Sequence, residues 1–265
     1  MEAPALYLPD GDGFVGTILT QGGWDPGAQN GAVVLSLLGH CLEDVPTLVP
    51  MGLARLTVDL VRPAPIGPRL VVRSTVVREG KKIQVVELRL LDGDVEHVRV
   101  SALRLRDEPI GEPLVDTTAS RPGDALLPPE SARNLRELTP NVPGFLRAVD
   151  MRRARTVDGT EVGAWLRLSV PVLPGEPVSP SARLAAVVDY ANLIGMDGHP
   201  GDVSMINPDV TAHFLRHPTS EWIAITGDTR FNPHLGRGVS MAHFSDTDGV
   251  FAVASTSQLV QPRPQ

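Results

Sequence analysis

Ser179-Pro180-Ser181-Ala182-Arg183-Leu184-Ala185-Ala186-Val187-Val188-Asp189-Tyr190-Ala191-Asn192-Leu193-Ile194-Gly195 is the stretch around which the chain is read. A Ser side chain accepts from an orphan N–H at a helix start, and Pro has no N–H to lose there, so Ser179 and Pro180 predict an N-cap and a first helical residue. Gly195 offers a stop. Leu184, Val187, Val188, Ala191 and Gly195 share one helical face, the spacing of a stripe laid on a sheet. The opposite face is not polar: Ala186, Tyr190 and Leu193 surround a single charge, Asp189. The helix is therefore expected to be covered on most sides, and Asp189 is the first candidate for chemistry.

The same opening occurs earlier, in Gly22-Gly23-Trp24-Asp25-Pro26-Gly27-Ala28-Gln29-Asn30-Gly31, with Asp25 as the expected N-cap and Pro26 as the first helical residue. The two cap-and-proline pairs lie 154 positions apart, and the same offset carries Arg62 onto Arg216 and Ser101-Ala102 onto Ser255-Thr256. A fixed offset of this length indicates a duplicated unit. The first helix is predicted from Asp25 to about Leu42, with Val33, Val34, Leu37, Leu38 and Cys41 on its apolar face. Gly27, Gly31 and Gly39 each cost a helix about 1 kcal/mol against Ala, which points to close approach of another backbone.

After this helix the period changes to that of strands. Leu53 to Val61, Arg69 to Val77, Lys82 to Leu91 and Glu96 to Arg106 alternate and are rich in Val and Leu, with turn residues between them. From Asp107 to Asp150 seven of the 25 prolines fall within 44 residues, which reads as a connector with a short helix near Ser131 to Leu138. The second unit is expected to open with a strand over Glu161 to Val172. The Ser179 helix follows, and then strands near Asp209 to Leu215, Trp222 to Thr229, Gly238 to Phe244 and Val250 to Val260. A short strand over Phe14 to Leu19 precedes the first helix. One helix against a curved antiparallel sheet, present twice, is also compatible with two unrelated α+β domains, but with the 154-residue offset it predicts an α+β double hotdog: residues 1–106 as the N-terminal unit, 107–150 as a Pro-rich connector and 151–265 as the C-terminal unit.

Composition narrows the function. A chain of 265 residues with 42% apolar residues can bury a real core, and 4% aromatics make that core aliphatic. The net charge of −7 argues against a nucleic-acid binder, which needs a basic field over one face. The single Cys41 forms no intrachain disulfide, and the first residues lack the charged and apolar regions of a signal peptide, so a cytoplasmic protein is expected. No apolar stretch approaches the ~20 residues of a membrane span.

The Gly-Gly-Trp-Asp-Pro-Gly-Ala-Gln-Asn-Gly approach to the first helix and the final strand with Ala254-Ser255-Thr256-Ser257-Gln258 resemble the thioesterase-like superfamily, in particular the double-hotdog acyl-CoA thioesterases. That resemblance implies hydrolysis of an acyl-CoA thioester by water, with an Asp on the second helix, a Thr or Ser on the following strand and a Gln on the final strand. Carried over by position, the Asp is Asp189 and the Gln is Gln258. The hydroxyl position, aligned back from Phe214, falls on Asn207; a one-residue gap leaves Thr211 as the other occupant. An amide donates and accepts as a hydroxyl does, so it can still position water. The chemistry needs an oriented water, a carboxylate to take its proton and donors for the oxyanion, and no cofactor or metal. Gln29, Asn30 and Gly31 are candidates to touch substrate. Leu35 stands where the 154-residue offset would place an acid, so one productive site per chain is expected.

Other signals are weaker. Asp228-Thr229-Arg230-Phe231-Asn232-Pro233-His234 resembles the Asp-x-Asn-Pro-x-His motif of hotdog enoyl hydratases but has Arg230 at the Asp position and Leu235 at the His position. The seven histidines form no His-Glu-x-x-His pair, and no Ser lies in a Gly-x-Ser-x-Gly elbow. For the phosphates of coenzyme A, Arg216, His217, Arg230, His234 and Arg237 form one basic group, and Arg78, Lys81 and Lys82 another. The sequence thus predicts a fatty acyl-CoA thioesterase using Asp189, Asn207 and Gln258. The competing reading is a non-catalytic acyl-CoA or lipid-binding double-hotdog protein. Fused hotdog units leave the chain able to stand alone or to form a homodimer or tetramer.

Overall fold

The computed structural model of the chain describes residues 4–23, 25–109, 111, 126–132, 134, 144–195 and 203–262. Thirteen strands join in one antiparallel sheet. Before the first helix come β1 (Tyr7–Asp10) and β2 (Gly13–Gly16), and after it β3 (Met51–Leu60), β4 (Arg69–Arg78), β5 (Ile83–Asp92) and β6 (Val95–Arg106). The second half contributes β7 (Val149–Arg155), β8 (Glu161–Leu168), β9 (Val203–Ile206), β10 (Asp209–Phe214), β11 (Ile223–Asn232), β12 (Arg237–Asp246) and β13 (Gly249–Pro262). Among the described residues the helices are α1 (Gly31–Glu43), a short α2 (Gly144–Ala148) and α3 (Pro180–Val188), and α3 runs directly into a 3-10 turn over Asp189–Gly195.

The order β1-β2-β4-β5-β6-β3-β10-β13-β12-β11-β8-β7 is a palindrome in which each strand of one half has its counterpart in the other, and β9, which pairs with β13 off this path, has none. This is the double hotdog that the order of elements predicts. The joint is the β3–β10 pair, where Thr57 faces Thr211. Thr211 lies 154 positions after Thr57, so a pseudo-two-fold axis passes through this pair. The offset extends outward: Thr57 pairs with Ser101 and Thr211 with Ser255, and then Ser101 pairs with Glu87 and Ser255 with Met241. Alternation along these strands sends Val86, Leu88, Leu90, Val98, Val100, Ala242, Phe244 and Ala252 inward, where they are buried against the helices.

The helices do not keep that offset. The N-cap of α3 is Ser179, as predicted, and accepts from Ala182 N at 3.2 Å. The N-cap of α1 is Asn30 rather than Asp25, and its Oδ1 accepts from Ala32 N at 3.0 Å. Asp25 instead closes a turn ahead of the helix, with Gly27 N donating to its Oδ1 at 2.8 Å. Asp-Pro opens a helix or a turn with equal ease, because the same carboxylate accepts from the backbone two residues on in both. Counterparts in the helices therefore lie 149 positions apart, not 154. The additional residues of the second half fall between Asp189 and Thr211, where β9 lies.

The two helices pack antiparallel. A Cβ on Gly39 would stand 2.5 Å from the Ser181 carbonyl oxygen and 2.8 Å from the Ala185 Cβ, so this glycine sets the helix separation. Three further features differ from expectation. The edge strands β1 and β7 extend each half by a hairpin, and β9 is too short to carry a period. The helix expected near Ser131 to Leu138 is represented by a 3-10 turn at Pro129–Ser131, and the rest of that prediction lies largely outside the described residues.

Candidate active site

Asp189 ends α3 and begins the 3-10 turn, and it faces the start of α1 from the other half of the chain. Its side chain is 7% exposed. A Cβ on Gly31 would stand 2.8 Å from its Oδ1 and 2.9 Å from its Oδ2, so only glycine at the first helical position lets α1 approach the carboxylate this closely. Nδ2 of Asn207, between β9 and β10, donates to Asp189 Oδ1 at 2.8 Å. Burial raises the Asp189 carboxyl above its ordinary value of 3.8, while the Asn207 amide and the Ala32 backbone N–H favour the charged form and oppose the rise. The unpaired N–H groups of a first helical turn add positive potential at this point.

Hydrogen bonds connect this acid to Gln258. Asn192 Nδ2 donates to Asn207 Oδ1 at 2.9 Å, and the Asn192 backbone carbonyl accepts from Gln258 Nε2 at 3.4 Å. Gln258 Nε2 also donates to Ser240 Oγ at 2.9 Å, and Ser240 Oγ lies 2.6 Å from Thr229 Oγ1. Gln258 is 3% exposed, and its Oε1 is buried without a hydrogen-bond partner among the described residues. Gly238 makes room for that oxygen, because a Cβ there would meet it at 2.6 Å. Asp189, Asn207 and Gln258 are thus brought into one network. Thr211 is not part of it, being opposite Thr57 at the joint of the sheet.

Among the described residues the first half carries no second copy of this network. At the helix offset of 149 the counterpart of Asp189 is His40, not Leu35, and the neighbouring Gly39 borders a small apolar cavity of about 10 Å³ with Leu35, Leu38, Leu42, Leu88 and Ala185. At the strand offset of 154 the counterpart of Gln258 is Arg104. Its Nη1 donates to Val45 O at 2.7 Å and to Gln84 Oε1 at 3.1 Å, and its Nη2 donates to Leu42 O. Leu42 lies near the end of α1, as Asn192 lies in the turn that follows α3. In both halves a residue of the last strand thus donates to a backbone carbonyl near the end of the helix.

The remaining candidates separate by their partners. Gln29 is buried and occupied, its Oε1 accepting from Tyr7 Oη at 2.5 Å and its Nε2 donating to Pro65 O at 2.7 Å. Asn30 caps α1, and Gly31 lies against Asp189. Arg216 is not available for phosphate: it forms a two-point pair with Asp246 at 2.7 and 2.7 Å, and that pair helps to hold the Asp246 carboxyl below its ordinary value. Arg230, His234 and Arg237 stand exposed at the β11–β12 hairpin, where Arg237 pairs with Leu259 and Gly238 with Gln258. Arg78, Lys81 and Lys82 stand exposed at the equivalent β4–β5 hairpin. A broad hollow of about 410 Å³ lined by Arg167, Ser169, Glu176 and Glu221 contains none of the network residues.

Comparison with known families adds what geometry alone does not. The profile of the acyl-CoA thioesterase N-terminal domain matches residues 20–105, and that of the acyl-CoA thioesterase C-terminal domain matches residues 119–261. The chain belongs to the acyl-CoA thioesterase family. A comparison with curated protein sequences gives no significant match. Among solved structures, the thioesterase fold of this chain is similar to a hot dog fold protein of unknown function from Alicyclobacillus acidocaldarius. The identity is 16%, with a TM-score of 0.69 over 97% of this chain and 96% of that one. It is also similar to the tesB protein of Mycobacterium avium subs. paratuberculosis, at 12% identity and TM-score 0.65 over 97% and 96%. The acyl-CoA thioesterase II TesB2 of Mycobacterium marinum matches at 15% identity and TM-score 0.60 over 93% and 97%. At these identities the likeness is one of fold. In the thioesterase family frame, the residue the sequence reading missed is Asn192, which joins the two ends of the network. Its signal was its place three residues after Asp189, one turn of a 3-10 helix.

Proposed function

We propose that this thioesterase hydrolyses fatty acyl-CoA to free acid and coenzyme A by direct attack of water, with Asp189 as general base. The observation that carries the reading is the buried Asp189 carboxylate, with Oδ1 engaged by Asn207 at 2.8 Å and the start of α1 against it. A carboxylate raised by burial is a stronger base than one in water, and fixing one oxygen leaves Oδ2 to take the proton. Water oxygen bonds to the thioester carbon as its proton passes to Asp189. The carbonyl oxygen becomes an oxyanion, and the orphan N–H groups of the first turn of α1 are the donors suited to hold it. Collapse breaks the C–S bond, and the proton on Asp189 goes to the departing sulfur, which restores the base. Gln258 Oε1 is the buried acceptor suited to orient the water, and its own Nε2 is anchored on Ser240.

Arg230, His234 and Arg237, exposed at the hairpin beside Gln258, suit the phosphates of coenzyme A, and the aliphatic core between helix and sheet suits an acyl chain. The reading is tested by thiol release from acyl-CoAs of graded chain length. Turnover with a preferred length supports it. Binding of acyl-CoA with no release at any length would replace it with the non-catalytic binding protein.

A further inference from the structure

The amide of Asn207 stands between two groups that decide which way it points. It presents Nδ2 to Asp189 Oδ1 at 2.8 Å and Oδ1 to Asn192 Nδ2 at 2.9 Å. An ionised carboxylate can only accept, so a charged Asp189 requires the NH2 end of Asn207. A protonated Asp189 has an O–H to donate, and the amide would then turn its oxygen toward it unless something resists. Asn192 opposes this, because a turned Asn207 would set two NH2 groups against each other, so the reversal requires both amides to turn together. Asn192 is itself anchored at its backbone, whose carbonyl accepts from Gln258 Nε2 at 3.4 Å within the 3-10 turn that starts at the acid.

We propose that Asn192 is a positioning residue: its amide N–H holds Asn207 in the orientation that donates to Asp189 and so keeps Asp189 in its carboxylate form. The proposal rests on the thioesterase reading and deepens it, since it explains how an amide does the work of the hydroxyl that the family places at this position. A hydroxyl rotates freely to donate, whereas an amide has a fixed donor end and must be oriented by a second residue. Asn192 supplies that orientation and, through its carbonyl, links it to Gln258.

The surroundings of Asp189 leave this effect readable. From α1 it is faced by Gly31 and the Ala32 N–H, from the β9–β10 junction by Asn207, and from its own turn by Tyr190. The strands against the turn bring Thr229, Ser240 and Gln258, which are uncharged. Tyr190 is the titratable group among these, and burial together with Asp189 raises it well above the range in which a carboxyl titrates.

The test is titration of the Asp189 side-chain carboxyl by carbon NMR, with the signal assigned by its loss in Asp189→Asn. It is run on the parent, Asn192→Leu and Asn192→Ala, and again in an Asn207→Thr background. In the Asn207 background both Asn192 variants are expected to move the midpoint up by about one pH unit, and the acid limb of thioester hydrolysis moves with it. In the Asn207→Thr background the same substitutions leave the midpoint where Asn207→Thr alone puts it. An unmoved midpoint in both Asn192 variants would overturn the proposal, whatever happened to thermal stability. So would an equal shift in the threonine background, which would assign the effect to packing around the turn. If the parent hydrolyses no thioester the catalytic reading fails, yet the carboxyl titration still decides the role of Asn192.

Discussion

Asp189 is held in a place that favours its neutral form, and this has consequences for stability as well as for rate. Burial raises its carboxyl above 3.8, so between that value and the folded-state value the folded chain binds a proton that the unfolded chain has released. Stability contributed at Asp189 therefore falls as pH rises through that window, and the penalty is fully present above it. Asp189→Asn removes the penalty, so its melting temperature should exceed that of the parent above the window and converge with it in acid. A variant less stable than the parent at neutral pH would mean that the carboxylate is net stabilising. Gly31 is the complementary case. Gly31→Ala puts a Cβ within 2.8 Å of the same carboxylate, and overpacking of this kind costs about 1–3 kcal/mol. Its rate should fall more than its stability explains, because the atom displaced is the base itself; kinetics and denaturant melts on one preparation compare the two losses.

At the level of elements, what the sequence disclosed depended on whether one residue type had one meaning. Ser179-Pro180 opens α3 as expected, because a serine followed by proline before an apolar stripe has few other uses. Asp25-Pro26 carries the same chemistry yet makes a turn, and Asn30, five residues later, caps the helix. The edge strand β7 was hidden in Val149-Asp150-Met151-Arg152-Arg153-Ala154-Arg155, where polar and long basic side chains obscure the alternation. Gly39 was legible as a point of close approach, but its partner, the Ser181 carbonyl, required the helices to be placed antiparallel. Gly39→Ala should separate the helices and cost about 1–3 kcal/mol in a denaturant melt. Ser179→Ala, which removes only a cap, should cost about 1 kcal/mol. Equal small losses would mean that the helix contact adjusts freely.

For the molecule as a whole, the pseudo-two-fold axis at Thr57 and Thr211 places two equivalent positions, and the chain has used them differently. The strand offset of 154 was visible in the sequence, and at that offset Arg104 corresponds to Gln258. The helix offset of 149 was not visible, because the cap-and-proline match at 154 imitated it. The absence of an acid from the first half was therefore expected at Leu35, whereas the helix counterpart of Asp189 is His40. Asn207 was reached by alignment back from Phe214, and its bond to Asp189 depends on a segment with no counterpart of equal length in the first half. This division of labour predicts opposite mutational signatures. Arg104→Met removes donors to Leu42 and Val45 and should cost about 1–3 kcal/mol of stability, with little change in rate per folded molecule. Gln258→Ala should do the reverse.

The dependence of water attack on the Asp189 carboxylate is tested by kcat/KM for thiol release by Asp189→Asn beside the parent across the pH range. A loss of about 10²–10⁴-fold on the parent's plateau is expected, the contribution typical of a positioned general base, with acyl-CoA binding retained. The parent's rate should rise with pH through a midpoint above 3.8 that is missing from the variant. A variant that keeps the parent's rate and pH profile would rule out Asp189 as the general base.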